Sequence, residues 1–99
     1  MARVVVTETA KYDVRRILSD LHERAGHRVA AKYAAEFKAA YRRLASSPQI
    51  GPPRPALGPS THIVIILPYL VFYEYEADVV TVLRVLHGRR NINRDLLRR

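Results

Sequence analysis

Three apolar runs rich in β-branched and aromatic residues follow one another closely, at residues 62–67, 69–75 and 79–87. Only Pro68 and the segment 76–78 separate them. Gaps as short as these join neighbouring antiparallel strands. The second half of the chain is therefore predicted to form a three-stranded antiparallel meander.

The first half predicts one strand and two helices. Residues 3–7 form a short β-branched run typical of a strand, and Thr7 or Thr9 can cap the helix that follows. Apolar residues recur at helical spacing over 10–21 and again over 30–44, with Gly26 as the stop between the two helices. So short a connection predicts an antiparallel helix hairpin.

These elements predict an α+β fold in the order β-α-α-β-β-β, with the helical hairpin packed on a twisted antiparallel sheet. The first strand is expected to join that sheet, because a lone strand leaves its backbone groups unpaired. The length of 99 residues suits a single domain. Five of the six prolines lie in 48–60, which predicts an extended but structured loop.

Composition excludes several kinds of site. The chain has no cysteine, so disulfides and thiolate metal sites are excluded. Its four histidines, His22, His27, His62 and His87, are not spaced as metal ligands, and we expect neither a metal nor another cofactor. We find no signal peptide and no apolar run long enough to span a bilayer, so we expect a cytoplasmic protein that does not contact a membrane.

Positive charge is concentrated at the C-terminus. The formal net charge is +8, and the segment from Arg84 to Arg99 contains six arginines and one acidic residue, Asp95. We expect a basic tail from about residue 88, with one turn of helix around 94–97. Such a segment indicates a polyanionic or acidic partner, although solubility alone also explains it.

Alternation along the last strand predicts that Val80, Val82, Arg84 and Leu86 share one face. Arg84, between apolar neighbours, is then either paired with an acid or exposed on a concave face. His62 and His87 each end a strand. They could serve in general acid–base chemistry or could simply form structural hydrogen bonds.

Four segments carry a family resemblance over nearly the whole chain. They are 6–17, 34–54, 69–73 (YLVFY) and 82–90 (VLRVLHGRR), of which the last two are the most specific. In these segments the sequence resembles the RelE/ParE superfamily of toxins, and it is nearer to the ParE branch.

The resemblance implies the toxin of a type II toxin–antitoxin system, with a ParD-like antitoxin as its partner. ParE-like toxins act on DNA gyrase, whereas RelE-like relatives cut messenger RNA on the ribosome. Contact with DNA is expected only through the antitoxin complex.

The residues favour the gyrase branch. RNA cleavage needs a proton acceptor, a proton donor and cations near the phosphate. The ribonuclease branch supplies Lys and Arg on the sheet and usually a Tyr near the C-terminus. Here no Tyr follows Tyr75, Leu96 or Leu97 stands at the tail position, and the strands contain no Lys.

We therefore expect no catalytic residues, and a toxin that inhibits its target by binding. The alternative is a ribosome-dependent endoribonuclease using His62, Arg84, His87 and Arg90. His62 occupies a position where the family often has Arg, which could alter target contact or supply a base. A third hypothesis is a binding module that has lost toxicity, or simply a basic RNA- or DNA-binding domain.

Two sets of contact residues are predicted. The set expected to bind the target consists of Tyr73, Arg84, His87, Arg89 and Arg90. Apolar surface on the hairpin and meander is expected to take an amphipathic, acidic antitoxin segment. The residues of this second set are Val14, Leu18, Phe37, Tyr41 and Arg54.

Overall fold

The structure is a computed structural model that describes residues 1–99. Its elements are β1 (Arg3–Val6), α1 (Glu8–Ala25), α2 (His27–Ser46), a 3₁₀ turn (Pro55–Leu57), β2 (Thr61–Ile66), β3 (Tyr69–Glu76), β4 (Val79–His87) and α3 (Arg94–Leu97). The predicted α+β class and the order of strands and helices are confirmed.

The helix hairpin begins and ends where local chemistry requires it. Thr7 caps α1, and its hydroxyl accepts the Ala10 N–H at 3.0 Å. Gly26, with φ of 90°, ends α1 and precedes the first residue of α2. Few residues other than glycine adopt this backbone conformation easily, so the hairpin turns within one residue.

The four strands form one sheet in the order β1-β4-β3-β2. The meander of β2, β3 and β4 is antiparallel, as predicted. β1 joins the sheet beside β4 in parallel, from Arg3 opposite Val79 to Val6 opposite Val82. Because β1 ends at Val6, opposite Val82, the rest of β4 has no strand on that side.

Both faces of the sheet are covered. The helix hairpin packs on one face, and the core there includes Phe37, Ala40, Leu44, Val71, Tyr73, Val80 and Val82. On the other face, Leu96 and Leu97 of α3 pack against Phe72, Leu83 and Leu86. The expected turn of helix at 94–97 is confirmed, and this part of the basic tail is docked on the sheet.

A β-bulge breaks the alternation in β4. Phe72 lies opposite Arg84 while Tyr73 lies opposite Val82, so Leu83 is an extra residue. The prediction that Leu86 shares a face with Val82 is therefore wrong, because the bulge exchanges the two faces. Val80, Val82 and Val85 lie in the hairpin core, and Leu83 and Leu86 lie under α3.

Candidate functional site

A buried ion pair joins α1 to the last strand. The Asp13 carboxylate accepts from Arg84 Nε at 2.7 Å and from Arg84 Nη2 at 2.9 Å, a bidentate arrangement. Asp13 is 8% exposed and Arg84 7%. The same carboxylate accepts the Val85 N–H at 3.1 Å, where β4 has lost its β1 neighbour.

Arg84 makes a third hydrogen bond, from Nη1 to the Leu96 carbonyl oxygen at 2.9 Å. The hydrogen bonds to Asp13 raise the pKa of Arg84, in opposition to burial. Of the two alternatives for Arg84, the paired one is observed. Its assignment as a direct target contact is corrected, since Arg84 is buried and each of its three guanidinium nitrogens forms a hydrogen bond within the protein.

The remaining cationic residues of the predicted target surface are exposed. His87, Arg89 and Arg90 follow one another at the end of β4 and in the turn after it. The His87 ring accepts the Arg89 N–H at Nδ1, at 3.0 Å. A surface depression formed with α1 is lined by His87, Arg90, Arg16 and Asp20.

Three of the residues proposed for RNA cleavage, Arg84, His87 and Arg90, line the same depression, but His62 lies away from it. His62 lies level with Tyr73 and Val82, whereas His87 is five residues farther along β4. His87 lies opposite Tyr69, four residues from Tyr73 along β3, so two interstrand spacings and four residues of rise place the two histidines roughly 17 Å apart. His62 Nδ1 also bonds the Gly51 carbonyl oxygen at 2.8 Å. The structure does not bring His62 and His87 to one reacting phosphate.

Tyr73 is an anchor for the proline-rich loop. Its hydroxyl donates to the Pro48 carbonyl oxygen at 2.8 Å and accepts the Gly51 N–H at 3.0 Å. Its ring stacks on His62, with centroids 5.2 Å apart. Tyr73 is 0% exposed, so its assignment as a direct target contact is corrected as well.

The residues of this chain that were predicted to bind the antitoxin differ in how far they are buried. Phe37 is 1% exposed, so its assignment to an antitoxin surface is corrected: its side chain faces the sheet. Val14, Leu18 and Tyr41 are half-buried and pack at the border of the core. Arg54 is exposed.

Tyr41 carries a hydroxyl group without a hydrogen-bond partner inside the protein. Burial, and secondarily the negative charge of Asp13, raise the pKa of Tyr41 to about 12. This phenol therefore stays neutral well above the usual tyrosine range. The orphan hydroxyl contrasts with that of Tyr73, which has two partners.

An exposed apolar patch lies at the β2 edge of the sheet, and sequence analysis missed it. It comprises Ile50, Ile65 and Leu67, which are 54%, 57% and 77% exposed. Cations of α2, Lys32 and Arg43, line the adjoining depressions. The signal was the unbroken apolar run 63–67. A strand with one side facing solvent normally alternates apolar with polar residues.

The backbone of β2 is covered over only part of its length. On the outer side, Thr61 bonds Gly58 and Arg54, and the Ile63 N–H donates to the Pro52 carbonyl oxygen at 3.2 Å. These bonds stop at Ile63. By the two-residue period of a strand, Ile65 presents its N–H and C=O to the same open side.

No group of three His, Asp or Glu side chains is arranged to hold a metal ion. Nor does any helix combine the length and apolar character needed to cross a bilayer.

Comparison with known proteins gives matches of three kinds. The sequence model of the ParE toxins of type II toxin–antitoxin systems (parDE) matches residues 4–92. Toxin ParE3 of Caulobacter vibrioides is 30% identical over 92 residues, which span 93% of this chain and 92% of that protein.

The third match is to a solved structure, the chromosomal ParDE toxin–antitoxin system from P. aeruginosa. The TM-score is 0.75 at 18% identity, and the match covers 88% of this chain and 96% of the other. At that identity it supports the fold, including the hairpin and the four-stranded sheet.

Proposed function

The chain belongs to the ParE toxins of type II toxin–antitoxin systems, and on that premise we propose that it inhibits DNA gyrase and is neutralised by a ParD-like antitoxin. The observation that carries the proposal is a pair of adjacent exposed arginines, Arg89 and Arg90, that form no salt bridge within the protein. The salt bridges of the protein involve Lys11, Arg84 and Arg98 instead. Free guanidinium groups bind phosphate and carboxylate groups in a bidentate way.

The proposed target surface consists of His87, Arg89 and Arg90. It stands on the end of β4, which the bulge and the buried Asp13–Arg84 pair hold in place. The surface supplies cations and no assembled acid–base pair. It therefore suits inhibition by binding better than cleavage of RNA.

Replacing both free arginines, Arg89→Gln with Arg90→Gln, is expected to raise the concentration of toxin that half-inhibits gyrase supercoiling by about tenfold or more. Loss of two charge-assisted contacts accounts for a change of this size. The measurement is a supercoiling assay with purified protein. The control, Arg28→Gln with Arg42→Gln, removes the same charge from exposed positions on α2.

Wild-type protein that leaves supercoiling unchanged would refute gyrase as the target. Messenger RNA cleaved on ribosomes under the same conditions would favour the endoribonuclease alternative. Harmless expression without antitoxin would favour a binding module without toxicity. An equal loss of gyrase inhibition in both double variants would mean that inhibition depends on net charge and not on the position of the arginines.

We further propose that the antitoxin occupies the apolar patch of Ile50, Ile65 and Leu67. An extended segment can pair with the open β2 edge at Ile65 and place apolar side chains on the patch. Beside the patch, the two cations Lys32 and Arg43 outnumber the one carboxylate, Glu36, which favours carboxylates on that segment. Val14, Leu18, Tyr41 and Arg54 stay candidates for a second, helical contact, and Leu18 borders a groove between α1 and α2. Under this proposal, DNA is contacted only through the antitoxin.

The two proposed surfaces adjoin each other. The Gly88 N–H donates to the Pro68 carbonyl oxygen at 2.8 Å, which ties the turn before Arg89 to the turn after Leu67. A segment bound over Leu67 therefore lies beside the free arginines. Neutralisation follows if its carboxylates pair with Arg89 or its bulk excludes the target.

Introducing a charge into the patch, Ile65→Asp, is expected to weaken antitoxin binding by about tenfold or more and to leave gyrase inhibition unchanged. A carboxylate there opposes apolar burial and repels an acidic segment. Isothermal titration with the cognate antitoxin measures the affinity. Tyr12→Asp, at a residue 52% exposed on α1, is the matched control. Equal weakening of antitoxin binding by both variants would mean that the antitoxin contacts more of the protein than the β2 edge.

A further inference from the structure

The C-terminal helix α3 is short, and it packs on the sheet through two leucines. It has four residues, and Leu96 and Leu97 are its buried side chains. The Asn93 side chain caps it by accepting the Leu96 N–H at 2.9 Å. A helix this short does not persist by itself in water, so its place on the sheet depends on what holds it there.

Arg84 supplies the only hydrogen bond from a buried side chain to α3. Its Nη1 donates to the Leu96 carbonyl oxygen, one of the acceptors left free at the end of a helix. The other side-chain tethers of the segment are at the surface. Arg98 pairs with Glu74 at 3.0 Å, and the Thr9 hydroxyl donates to the Arg99 carbonyl oxygen at 3.2 Å. Exposed contacts of this kind contribute little.

Asp13 fixes the direction of that hydrogen bond. Two parallel bonds to Arg84 Nε and Nη2 lock the plane of the guanidinium, which leaves Nη1 aimed at Leu96. Asp13 is in turn held by the Val85 N–H at the open side of β4. One chain of hydrogen bonds therefore runs from α1 through β4 to α3.

We infer that the buried Asp13–Arg84 pair is a positioning device that holds α3 on the outer face of the sheet through the Leu96 carbonyl. The pair thereby sets where the cations of the C-terminal segment, Arg94, Arg98 and Arg99, stand relative to Arg89. The consequence for target binding rests on the proposed function. The positioning of α3 does not.

The test uses hydrogen exchange of the purified chain, read by mass spectrometry. In the double variant Asp13→Asn with Arg84→Met, both buried charges are removed and an acceptor for the Val85 N–H remains. Exchange in 92–99 is expected to rise about tenfold or more, with α1 and the meander still protected. Arg94→Met removes one exposed cation from the same segment and is expected to exchange like wild type.

Arg84→Lys is the second variant. It keeps a cation opposite Asp13, but a single ammonium cannot form the fork and also reach Leu96. Faster exchange confined to 92–99 is expected here too. If the double variant loses protection throughout the chain, the inference is tested by Arg84→Lys alone. Wild-type exchange at 92–99 in Arg84→Lys or in a folded double variant overturns the inference.

A functional arm separates positioning from stability. In Arg84→Lys, half-inhibition of supercoiling is expected to need several-fold more toxin, while the affinity for antitoxin stays at the wild-type value. Equal losses in both assays would indicate a general structural defect and overturn the positioning role. Wild-type protein inactive on gyrase would refute the proposed function, and the exchange measurements would still test how α3 is held.

Discussion

Arg84→Met by itself is expected to lower the free energy of unfolding by about 3–5 kcal/mol, because it leaves the Asp13 carboxylate buried without its cation. The Leu96 carbonyl oxygen also loses its donor. Urea unfolding followed by circular dichroism measures the change. For a domain of this size, such a loss is a large fraction of the total stability.

Replacing both partners is expected to cost much less than replacing one. Asp13→Asn with Arg84→Met leaves no buried charge, and replacing a buried pair by neutral groups is often close to neutral. The double-mutant cycle should therefore give a coupling energy of about 3 kcal/mol or more. Arg98→Met, which breaks the exposed pair with Glu74, is the control and should change stability by no more than about 1 kcal/mol. Additive losses at Asp13 and Arg84 would contradict a coupled pair.

Sequence reasoning stopped at two alternatives for Arg84 for a physical reason. A buried guanidinium requires a partner, but the partner is 71 residues away in sequence. Asp13 was a polar residue in an amphipathic helix, where solvent exposure is the usual expectation. Only the parallel placement of β1, which ends before β4 does, brings α1 over the open side of β4.

Sequence patterns predicted the structure correctly where it depends on a few neighbouring residues. The capping Thr7, the stop at Gly26 and the short gaps of the meander each depend on a few adjacent residues, and the structure has these features where they were expected. The bulge at Leu83 depends on how β3 and β4 pair over distance, which alternation cannot show. The faces of β4 were therefore assigned wrongly beyond it.

The contact residues illustrate the same limit. Exposed cations such as Arg89 follow from a charged turn after a strand, which is visible in the sequence. Phe37 belonged to a correctly predicted apolar stripe, but a stripe does not say whether the sheet or a partner covers it. In this fold the sheet covers Phe37, whereas the exposed apolar side chains include Ile65 and Leu67 at the opposite edge from β1.

Tyr73→Phe is expected to lower the free energy of unfolding by about 2–4 kcal/mol, because one hydroxyl serves two loop groups. Its removal leaves the buried Gly51 N–H without an acceptor and the Pro48 carbonyl oxygen without a donor. The loop carries Ile50, so antitoxin affinity should fall in the same variant. Thermal unfolding and titration calorimetry measure the two effects.

The matched control is the same chemical change at Tyr41. Tyr41→Phe removes a buried hydroxyl that has no partner, so the unfolding free energy should stay the same or rise by up to about 1 kcal/mol. Opposite responses to one identical substitution separate hydrogen bonding from the volume of the ring. Equal destabilisation by both variants would mean that Tyr73 acts through packing alone and that the Pro48–Gly51 loop is held by other contacts, such as the His62 bond to Gly51.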